Sequence, residues 1–279
     1  MKHKLLKIWK SIVAFIDKRW QEITVCLLIA VLASQLYPIG VRTFNNVLSA
    51  SARVTDWGLS FGDANTRPTG NMSSSELAKY NSFYIDKDDE KVIYLTFDAG
   101  YENGYMPKIL DVLKEEQVPA AFFLVSHYFE SAPELVLRMY QEGHTVGNHT
   151  ASHPDMSKIN DIESLKAELE PVEKQYKEIT GSDMPKFYRP PQGKFCINNL
   201  EQASQLGYKT VFWSLAYVDW DVKNQPNANA SIEKLCSRVH NGAVILLHST
   251  SATNAEILQT LIQKWKNEGY TFKSLAELD

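Results

Sequence analysis

The hydrophobic positions from residue 91 onward fall into two alternating patterns. Short runs rich in β-branched, aromatic and aliphatic residues predict buried strands, whereas longer stretches with apolar residues three or four apart predict amphipathic helices. The predicted strands cover residues 92–97, 120–125, 144–148, 186–189, 209–215, 243–248 and 270–275. The helices predicted between them cover residues 106–116, 132–142, 161–180, 197–206, 231–239 and 253–268. Such alternation is typical of parallel strands with helices packed outside the sheet.

This alternation predicts an α/β fold. Seven strands, of which all but the last are followed by a helix, indicate a (β/α) barrel of the TIM-like type. An open doubly wound sheet is the alternative. In a barrel of this kind, the active site is built at the carboxyl ends of the strands. Polar residues at those positions are therefore the candidates for chemistry.

The first 90 residues follow a different pattern. Residues 1–22 carry six basic side chains against two acidic ones and precede the apolar run "ITVCLLIAVLASQLYPIGV" at 23–41. A basic flank beside an apolar run predicts a signal anchor whose basic end is cytoplasmic, or a signal peptide cleaved near Ala33. A buried core helix is the third interpretation. The polar, turn-rich residues 42–90 predict an extracytoplasmic linker and arm before a main domain at 91–279.

Composition and charge narrow the range of partners. The chain has 279 residues, 44% of them hydrophobic, which is enough for a full-sized core. Outside residues 1–22 it carries 23 basic and 31 acidic side chains without a basic stripe, which argues against nucleic acid as a partner. The three cysteines show no zinc-finger or heme spacing. We expect an extracytoplasmic protein that is membrane-anchored through 23–41, or secreted if that segment is cleaved.

Ionisable residues cluster at the predicted strand ends. Asp98 follows the first strand and His248 ends the sixth. Alone, Asp98 could be a turn-former and His248 a core histidine, but on one rim they suit a general base and a general acid. His149 and His153 stand four residues apart after the third strand. This spacing lets two imidazoles converge on one metal ion, although such a pair by itself is more often structural.

The other rim residues suit supporting roles. Arg189, which precedes two prolines, is a fixed cation able to hold a carboxylate in its ionised form. The backbone amide of Gln192 could face a developing oxyanion. Asp219 could orient and tune His248 through a hydrogen bond. Trp220 could offer an apolar face to a sugar ring, although aromatic residues here are more often part of a core.

Five short motifs occur in order: "TFDAG" at 96–100, "HTASH" at 149–153, "RPPQG" at 189–193, "DW" at 219–220 and "LLHS" at 246–249. Together they resemble the motifs of the polysaccharide deacetylase family, which is carbohydrate esterase family four and is also called the NodB-homology domain. The resemblance covers about 92–275. It implies a distorted (β/α) barrel and removal of an N-acetyl group from an amino sugar.

Longer stretches resemble one branch of that family. They are "DWGLSF" at 56–61, "YNSFYI" at 80–85, "YLTFDAGYENGYMPKILDVL" at 94–113 and "TVFWSLAYVDWD" at 210–221. The branch comprises the muramic acid de-N-acetylases that lead to the δ-lactam of spore cortex peptidoglycan. This resemblance implies a peptidoglycan glycan strand as the partner and a location on the forespore or cortex side.

The family resemblance also implies roles for individual residues. Asp98 is expected to be the base and His248 the acid. His149 and His153 are expected to bind a divalent metal ion, with Zn²⁺, Co²⁺ and Mn²⁺ as candidates. The supporting roles fall to three further residues: Arg189 anchors the catalytic carboxylates, Gln192 lends its backbone amide and Asp219 tunes the acid.

Two positions depart from the family pattern. The family usually has a second aspartate, which is a metal ligand, where Ala99 stands, and a methyl group cannot bind a cation. The ion would then be held by two imidazoles and waters, or by a substitute oxygen from Glu102 or Asn103. Gln192 stands where the family often has tyrosine, a change that matters little if the backbone amide does the work.

The leading hypothesis is a peptidoglycan N-deacetylase that acts on muramic acid by metal-assisted hydrolysis. Alternatives of the same class are a deacetylase of N-acetylglucosamine in peptidoglycan or a chitin-like glycan, and a xylan O-acetyl esterase. From another class comes a non-catalytic glycan-binding protein, disabled at Ala99. A two-carboxylate glycoside hydrolase is disfavoured because the rim offers histidines, rather than a second acid, opposite Asp98.

Overall fold

The structure is a computed structural model that describes residues 2–18, 20 and 54–278. The chain divides into two compact units, Met1–Ser51 and Ala52–Asp279. The predicted sheet and its rim residues all belong to the second unit.

The N-terminal predictions can be compared with the structure only in part. Residues 2–18 form helix α1 in the first unit. The predicted signal segment at 23–41, with its cleavage point near Ala33, lies outside the described residues. Among the residues that are described, no helix is long and apolar enough to cross a membrane. The anchor and the extracytoplasmic location therefore stay predictions.

The second unit consists of short and long strands connected mainly by helices. The strands are β1 (Val54–Asp56), β2 (Leu59–Ser60), β3 (Thr69–Gly70), β4 (Ser82–Phe83), β5 (Val92–Ala99), β6 (Ala120–Leu124), β7 (Thr145–Asn148), β8 (Phe187–Tyr188), β9 (Lys194–Cys196), β10 (Lys209–Val211), β11 (Ala243–His248) and β12 (Thr271–Phe272). The helices are α2 (Ser74–Leu77), α3 (Met106–Glu115), α4 (Ser126–Ser131), α5 (Pro133–Gln141), α6 (Ile162–Thr180), α7 (Ile197–Gln205), α8 (Ala228–Arg238) and α9 (Ala252–Asn267). Short 3₁₀ turns cover Ala78–Tyr80, Met156–Lys158, Pro191–Gly193 and Leu275–Glu277.

The main sheet confirms the predicted alternation of parallel strands and helices. Its strands lie in the order β11, β5, β6, β7, β8, β10 and β4, with β12 also beside β5. All of these pairings are parallel. Helices between successive long strands provide the crossovers that parallel pairing needs. The carboxyl ends of the strands therefore share one edge of the sheet.

The sheet curls into a half-barrel, which confirms the predicted distorted (β/α) barrel of TIM-like type in part. Isolated bridges, such as that between Leu215 and Ile245, take the place of a ladder between β10 and β11. A continuous ladder between β10 and β11 does not form because the chain passes from hydrogen bonds with β4 to hydrogen bonds with β11 just after β10. The N–H of Phe212 still donates to β4 at 2.7 Å, whereas the N–H of Ser214 donates to β11 at 2.9 Å. The α/β class and the parallel sheet are confirmed, and the barrel is confirmed as a half-barrel.

Strand β5 determines which way the residues at its end point. All eight of its residues are buried, and they alternate between two apolar clusters as strand geometry requires. Ile93, Phe97 and Ala99 belong to the large cluster that includes helices α3 and α9. Tyr94 belongs to a separate cluster on the other face. Asp98 therefore shares the face of Tyr94, and its neighbour Ala99 faces the helices.

Residues 54–85, which the sequence assigns to an arm, belong to the same compact unit as the main domain. Strand β1 pairs antiparallel with β9, and β4 adds an edge strand beside β10. Trp57 stacks on Phe212 with ring centroids 4.8 Å apart, and its indole N–H donates to the carbonyl of Trp213 at 2.9 Å. These contacts clamp the chain just after β10. The domain division at residue 90 stays a prediction.

Helix α4 is an element that the hydrophobic pattern missed. The pattern predicts a helix from residue 132, but α4 and α5 meet there at Ala132, whose φ of −144° and ψ of 53° are not helical. Pro133 then begins α5 with a suitable fixed φ. Six residues make fewer than two helical turns, which is too short for a helical period to be recognised.

Candidate active site

The sheet brings the predicted rim residues to one edge. Asp98 is near the end of β5 and His248 is the last residue of β11, and the two are directly paired in the register of these neighbouring strands. His149 directly follows β7, and Arg189 directly follows β8. Parallel pairing explains this convergence, because each strand ends at the same edge.

Arg189 holds Asp98 in a buried ion pair. The guanidinium is fully buried, and its Nη1 donates to Asp98 Oδ1 at 2.8 Å and to Thr96 Oγ1 at 2.9 Å. Its Nε donates to the carbonyl of Val211 at 2.8 Å, and the group lies 4.1 Å from the ring centroid of Phe123. The fixed fork of donors and the aromatic face suit arginine rather than lysine.

Asp98 is ionised in this setting. Burial raises the pKa of its carboxyl, but the charges of Arg189, His149 and His248, together with the Arg189 hydrogen bond, lower that pKa below its ordinary value. A buried carboxylate needs such partners, since an unpaired charge is costly to remove from water. The Asp98 carboxylate is thus held in its charged form, which suits its predicted role as a base.

His149 is fixed in one tautomer by the backbone. Its Nδ1 lies 2.8 Å from the carbonyl oxygen of Arg189, which can only accept, so Nδ1 carries the proton. The lone pair is then on Nε2, which lies 3.6 Å from Asp98 Oδ2. Burial lowers the pKa of His149 to about 4, so the ring is neutral at pH 7. A neutral imidazole oriented through its second nitrogen is the usual form of a metal ligand.

A tight loop brings His153 next to His149. Thr150 and His153 both have left-handed backbone conformations, with φ of 73° and 57°. The hydroxyl of Thr150 accepts from the N–H of His153 at 3.0 Å and holds the loop closed. The two imidazole centroids are 5.0 Å apart, and burial lowers the pKa of His153. The structure thus brings together the pair that the sequence predicts.

At Ala99, as the sequence indicates, the third metal ligand of the family is missing. In the parts of the chain that the structure describes, no group of three or more His, Cys, Asp or Glu side chains is arranged to hold an ion. The carboxylate of Glu102 accepts from the hydroxyl of Tyr128 at 2.9 Å, and Asn103 Nδ2 donates to the carbonyl of Thr250 at 2.9 Å. Glu102 and Asn103 thus have other partners in the structure, and the alternative that one of them supplies a substitute oxygen stays a prediction. The side chains fit a divalent ion as a two-imidazole site, one protein donor fewer than catalytic zinc usually has.

His248 is held by Asp219. Its Nδ1 lies 2.7 Å from Asp219 Oδ1, and its backbone N–H donates to Asp219 Oδ2 at 2.8 Å. Burial lowers the pKa of His248, but the hydrogen bond and charge of Asp219, together with the charge of Asp98, raise that pKa above its ordinary value. The imidazole side chain is 26% exposed, so it can reach a bound substrate. The raised pKa favours the protonated imidazole, which suits the predicted role of His248 as an acid beside Asp98.

Asn254 is a supporting residue that the sequence analysis missed. This buried residue in the first turn of α9 donates from Nδ2 to Asp219 Oδ2 at 2.6 Å and to the carbonyl of His248 at 3.0 Å. Its Oδ1 accepts from the hydroxyl of Tyr217 at 2.5 Å. The one local signal is Ser251, the N-cap whose hydroxyl accepts from the N–H of Asn254. In sequence, that pattern indicates a helix start and nothing more.

The two remaining predicted residues lie on exposed loops. Gln192 has a left-handed φ of 57°, and its side chain is exposed, so the fixed part of this residue is its backbone. Gly193 follows with a φ of 68°, and a Cβ there would lie 2.9 Å from Trp57 and Trp213 atoms. Trp220 is 60% exposed beside the buried Asp219. The roles of Gln192 and Trp220 stay predictions.

Comparison with known proteins places these residues in a family. The family model described as polysaccharide deacetylase matches residues 85–211. The chain is 43% identical over 209 residues to the peptidoglycan-N-acetylmuramic acid deacetylase PdaA of Bacillus subtilis strain 168, which covers 75% of this chain and 79% of that protein. It is 33% identical to a peptidoglycan-N-acetylglucosamine deacetylase of Bacillus cereus, over 73% of this chain and 74% of that protein.

The fold supports the same relationship. The structure of Bacillus subtilis PdaA, a family 4 carbohydrate esterase, matches with a TM-score of 0.77 and 40% sequence identity, over 81% of this chain and 97% of that chain. This structure and the sequence relatives agree with the family that the five motifs indicate. The chain therefore belongs to the polysaccharide deacetylase family, and it is a hydrolase that acts on the carbon–nitrogen bond of an acetamide.

Proposed function

We propose that this protein removes the acetyl group from N-acetylmuramic acid in the glycan strands of peptidoglycan. The observation that carries the proposal is the pairing of Asp98 with His248 on neighbouring strands, where the pKa of the carboxyl is lowered and the pKa of the imidazole is raised. Similarity to the muramic acid deacetylase PdaA supports the choice of sugar.

Asp98 provides the base. A water molecule between Asp98 and the acetamide carbonyl carbon gives its proton to the carboxylate as its oxygen attacks that carbon. Arg189 keeps the carboxylate in place throughout, because its Nη1 binds the Oδ1 atom and leaves Oδ2 toward the histidines. The attack places negative charge on the former carbonyl oxygen.

The backbone amide of Gln192 stabilises that oxyanion in this proposal. A backbone donor fixed by Pro191 and Gly193 would need little rearrangement when the charge develops. His248 then gives a proton to the sugar nitrogen as the carbon–nitrogen bond breaks, so acetate and a free amine are the products. Trp220, exposed beside this acid, provides an apolar surface for a sugar ring.

A divalent metal ion fits beside these groups. His149 and His153 would hold it through imidazole nitrogens, and the neutral state of His149 suits that role. When bound, the ion would supply positive charge that polarises the acetamide carbonyl and lowers the pKa of water. Zn²⁺, Co²⁺ and Mn²⁺ are the candidates, and the two-donor site predicts weaker binding than a three-donor site would give.

The amine that is released suggests the biological product. On muramic acid it can form an amide with the lactyl carboxyl of the same sugar, with loss of water, which gives the δ-lactam of spore cortex peptidoglycan. In this proposal the protein acts outside the cytoplasm, on the forespore or cortex side, with residues 23–41 as its anchor or signal segment.

Acetate release from three substrates tests the proposal. They are peptide-free peptidoglycan glycan, intact peptidoglycan and chitooligosaccharide, each with and without added Zn²⁺, Co²⁺ or Mn²⁺. We expect acetate from the peptide-free glycan, and a free amine or lactam on muramic acid by mass spectrometry. The isosteric variant Asp98→Asn provides the control, and its activity should fall by at least about 100-fold.

Two other outcomes would replace this function. Acetate from chitooligosaccharide but not from muramic acid would favour an N-acetylglucosamine deacetylase, the activity named for the Bacillus cereus relative. Glycan binding without acetate release from any substrate would favour a binding protein whose site is disabled at Ala99.

A further inference from the structure

Helix α1 (residues 2–18) has two chemically different sides. The apolar side follows the spacing i, i+3, i+4, i+7, i+8 and i+11 and consists of Leu5, Ile8, Trp9, Ile12, Val13 and Ile16. The polar side is rich in lysine and includes Lys4, Lys7, Ser11 and Lys18. A helix of this kind is amphipathic over its whole length of roughly 25 Å.

The apolar side is exposed. Trp9 is 65% exposed, Ile8 54% and Ile12 46%, although residues of these types are normally buried in a folded protein. A continuous row of large exposed apolar side chains marks an interaction surface. The helix also belongs to a different compact unit from the catalytic residues.

The charge of α1 indicates which kind of partner covers its apolar side. Residues 2–18 contain five lysines and a single acid, Asp17. Two copies of the helix would bring like charges together, and they lack the acidic partners that normally flank a coiled-coil seam. The apolar side also covers about half of the helix circumference, which is wider than a two-position seam. A partner with negative charge at its surface and an apolar layer below that surface would contact the lysines and the apolar side of the helix at the same time.

We propose that α1 lies in the plane of an anionic lipid bilayer surface. The apolar side, centred on Trp9 and Ile12, enters the boundary between headgroups and acyl chains, and the lysines contact anionic headgroups. This inference goes beyond the proposed catalytic function and uses none of its residues. Binding of α1 to the membrane surface does not depend on whether residues 23–41 form an anchor or a signal peptide.

Hydrogen–deuterium exchange of the full chain in nanodiscs tests the proposal. The discs contain phosphatidylcholine alone or phosphatidylcholine mixed with phosphatidylglycerol, and exchange is followed for the amides of residues 2–18. We expect exchange to be at least about tenfold slower on the anionic discs, because each lysine near such a surface adds to binding. Equal exchange rates on the two kinds of disc would overturn the proposal.

Two variants separate the sides of the helix. Ile12→Lys and Ser11→Lys add the same charge at adjacent positions, the first on the apolar side and the second on the polar side. We expect the slow exchange to be lost in Ile12→Lys and kept in Ser11→Lys. Loss or retention in both variants would contradict an apolar side buried in lipid, and a melting temperature measured for each variant shows that the domain stays folded.

The position of Trp9 provides a second measurement. The fluorescence of the full chain is compared with that of Trp9→Phe in vesicles whose acyl chains carry bromine near the headgroup. We expect quenching that is specific to Trp9 and that requires anionic lipid. An unquenched Trp9, combined with protection of 2–18 that rises with protein concentration and cross-links between copies, would show that α1 pairs with a second chain instead.

Discussion

Single residues set the charge of the two groups that face each other in the site. Burial raises the pKa of Asp98, but Arg189 and the two nearby histidines together lower it. Burial lowers the pKa of His248, but Asp219 together with Asp98 raises it. The main partners, Arg189 and Asp219, are 91 and 29 residues away in sequence. The charge states therefore depend on the fold as much as on the residue types.

Replacing Asp219 tests how the acid is tuned. Asp219→Asn removes the charge that raises the pKa of His248 and keeps the size of the side chain. We expect the alkaline limb of activity to move to lower pH by about one unit or more. The sign follows because a general acid acts while it is protonated, so activity is present below its pKa and lost above it. The pH dependence of kcat/KM measures the shift.

A control for this experiment lies two residues away. Asp221→Asn makes the same chemical change where the carboxylate accepts from the N–H of Lys223 instead of from His248. Its alkaline limb should stay in place. If Asp219→Asn also left the limb unchanged, a group other than His248 would set it.

Replacing Arg189 tests the buried ion pair. Arg189→Met leaves the Asp98 carboxylate buried and removes the donor to the Val211 carbonyl. We expect a loss of about 3–5 kcal/mol in the free energy of unfolding, measured with denaturant. The double variant with Asp98→Asn should lose less than the sum of the two single changes, because it no longer buries an unpaired charge. Strict additivity would mean that the two side chains do not depend on each other.

At the scale of elements, long strands are predicted well from sequence, and short ones are not. Strand β5 is built on the largely apolar run 92–97, so its position and that of Asp98 near its end follow from local pattern. Strand β4 has two residues, and β1 pairs with β9 across about 140 positions, so neither leaves a periodic signal. Asn254 was missed for a related reason, because its partners Asp219 and His248 meet it only in the folded chain.

The clamp formed by β1 and Trp57 links these elements to the site. Trp57 stacks on Phe212, whose carbonyl accepts from Arg189 Nη2 at 3.2 Å. We expect Trp57→Ala to lower the free energy of unfolding by about 3–5 kcal/mol, because it removes a buried aromatic side chain and a hydrogen bond. Denaturant unfolding measures this change. The same substitution at the exposed Trp220 should cost under about 0.5 kcal/mol.

A kinetic measurement tests the predicted role of Trp220. Because Trp220 is predicted to contact a sugar ring, we expect Trp220→Ala to raise KM for a glycan while the free energy of unfolding stays nearly unchanged. If Trp57→Ala and Trp220→Ala lowered the free energy of unfolding equally, the contacts of the buried Trp57 would not stabilise the fold more than the exposed Trp220 does, which would contradict the clamp.

At the scale of the whole molecule, an ion bound by two imidazoles is measurable as stability. An ion that binds the folded chain and not the unfolded one stabilises the fold by about 2.7 kcal/mol at 100 times its Kd. We expect the melting temperature of the metal-free protein to rise with added Zn²⁺ or Co²⁺, and chelator to reverse the rise. The test reports on binding alone, so it does not depend on which substrate the enzyme uses.

Two histidine variants locate the ion. His153→Ala removes one of the paired imidazoles, which lie 5.0 Å apart, and should abolish most of the rise in melting temperature. His127→Ala removes an exposed histidine from α4 and should leave the rise unchanged. If both variants kept the full rise, the ion would bind elsewhere, and the chemistry at Asp98 and His248 would have to proceed without it. A rise lost in His153→Ala alone would mean that two imidazoles hold the ion although Ala99 offers no third ligand.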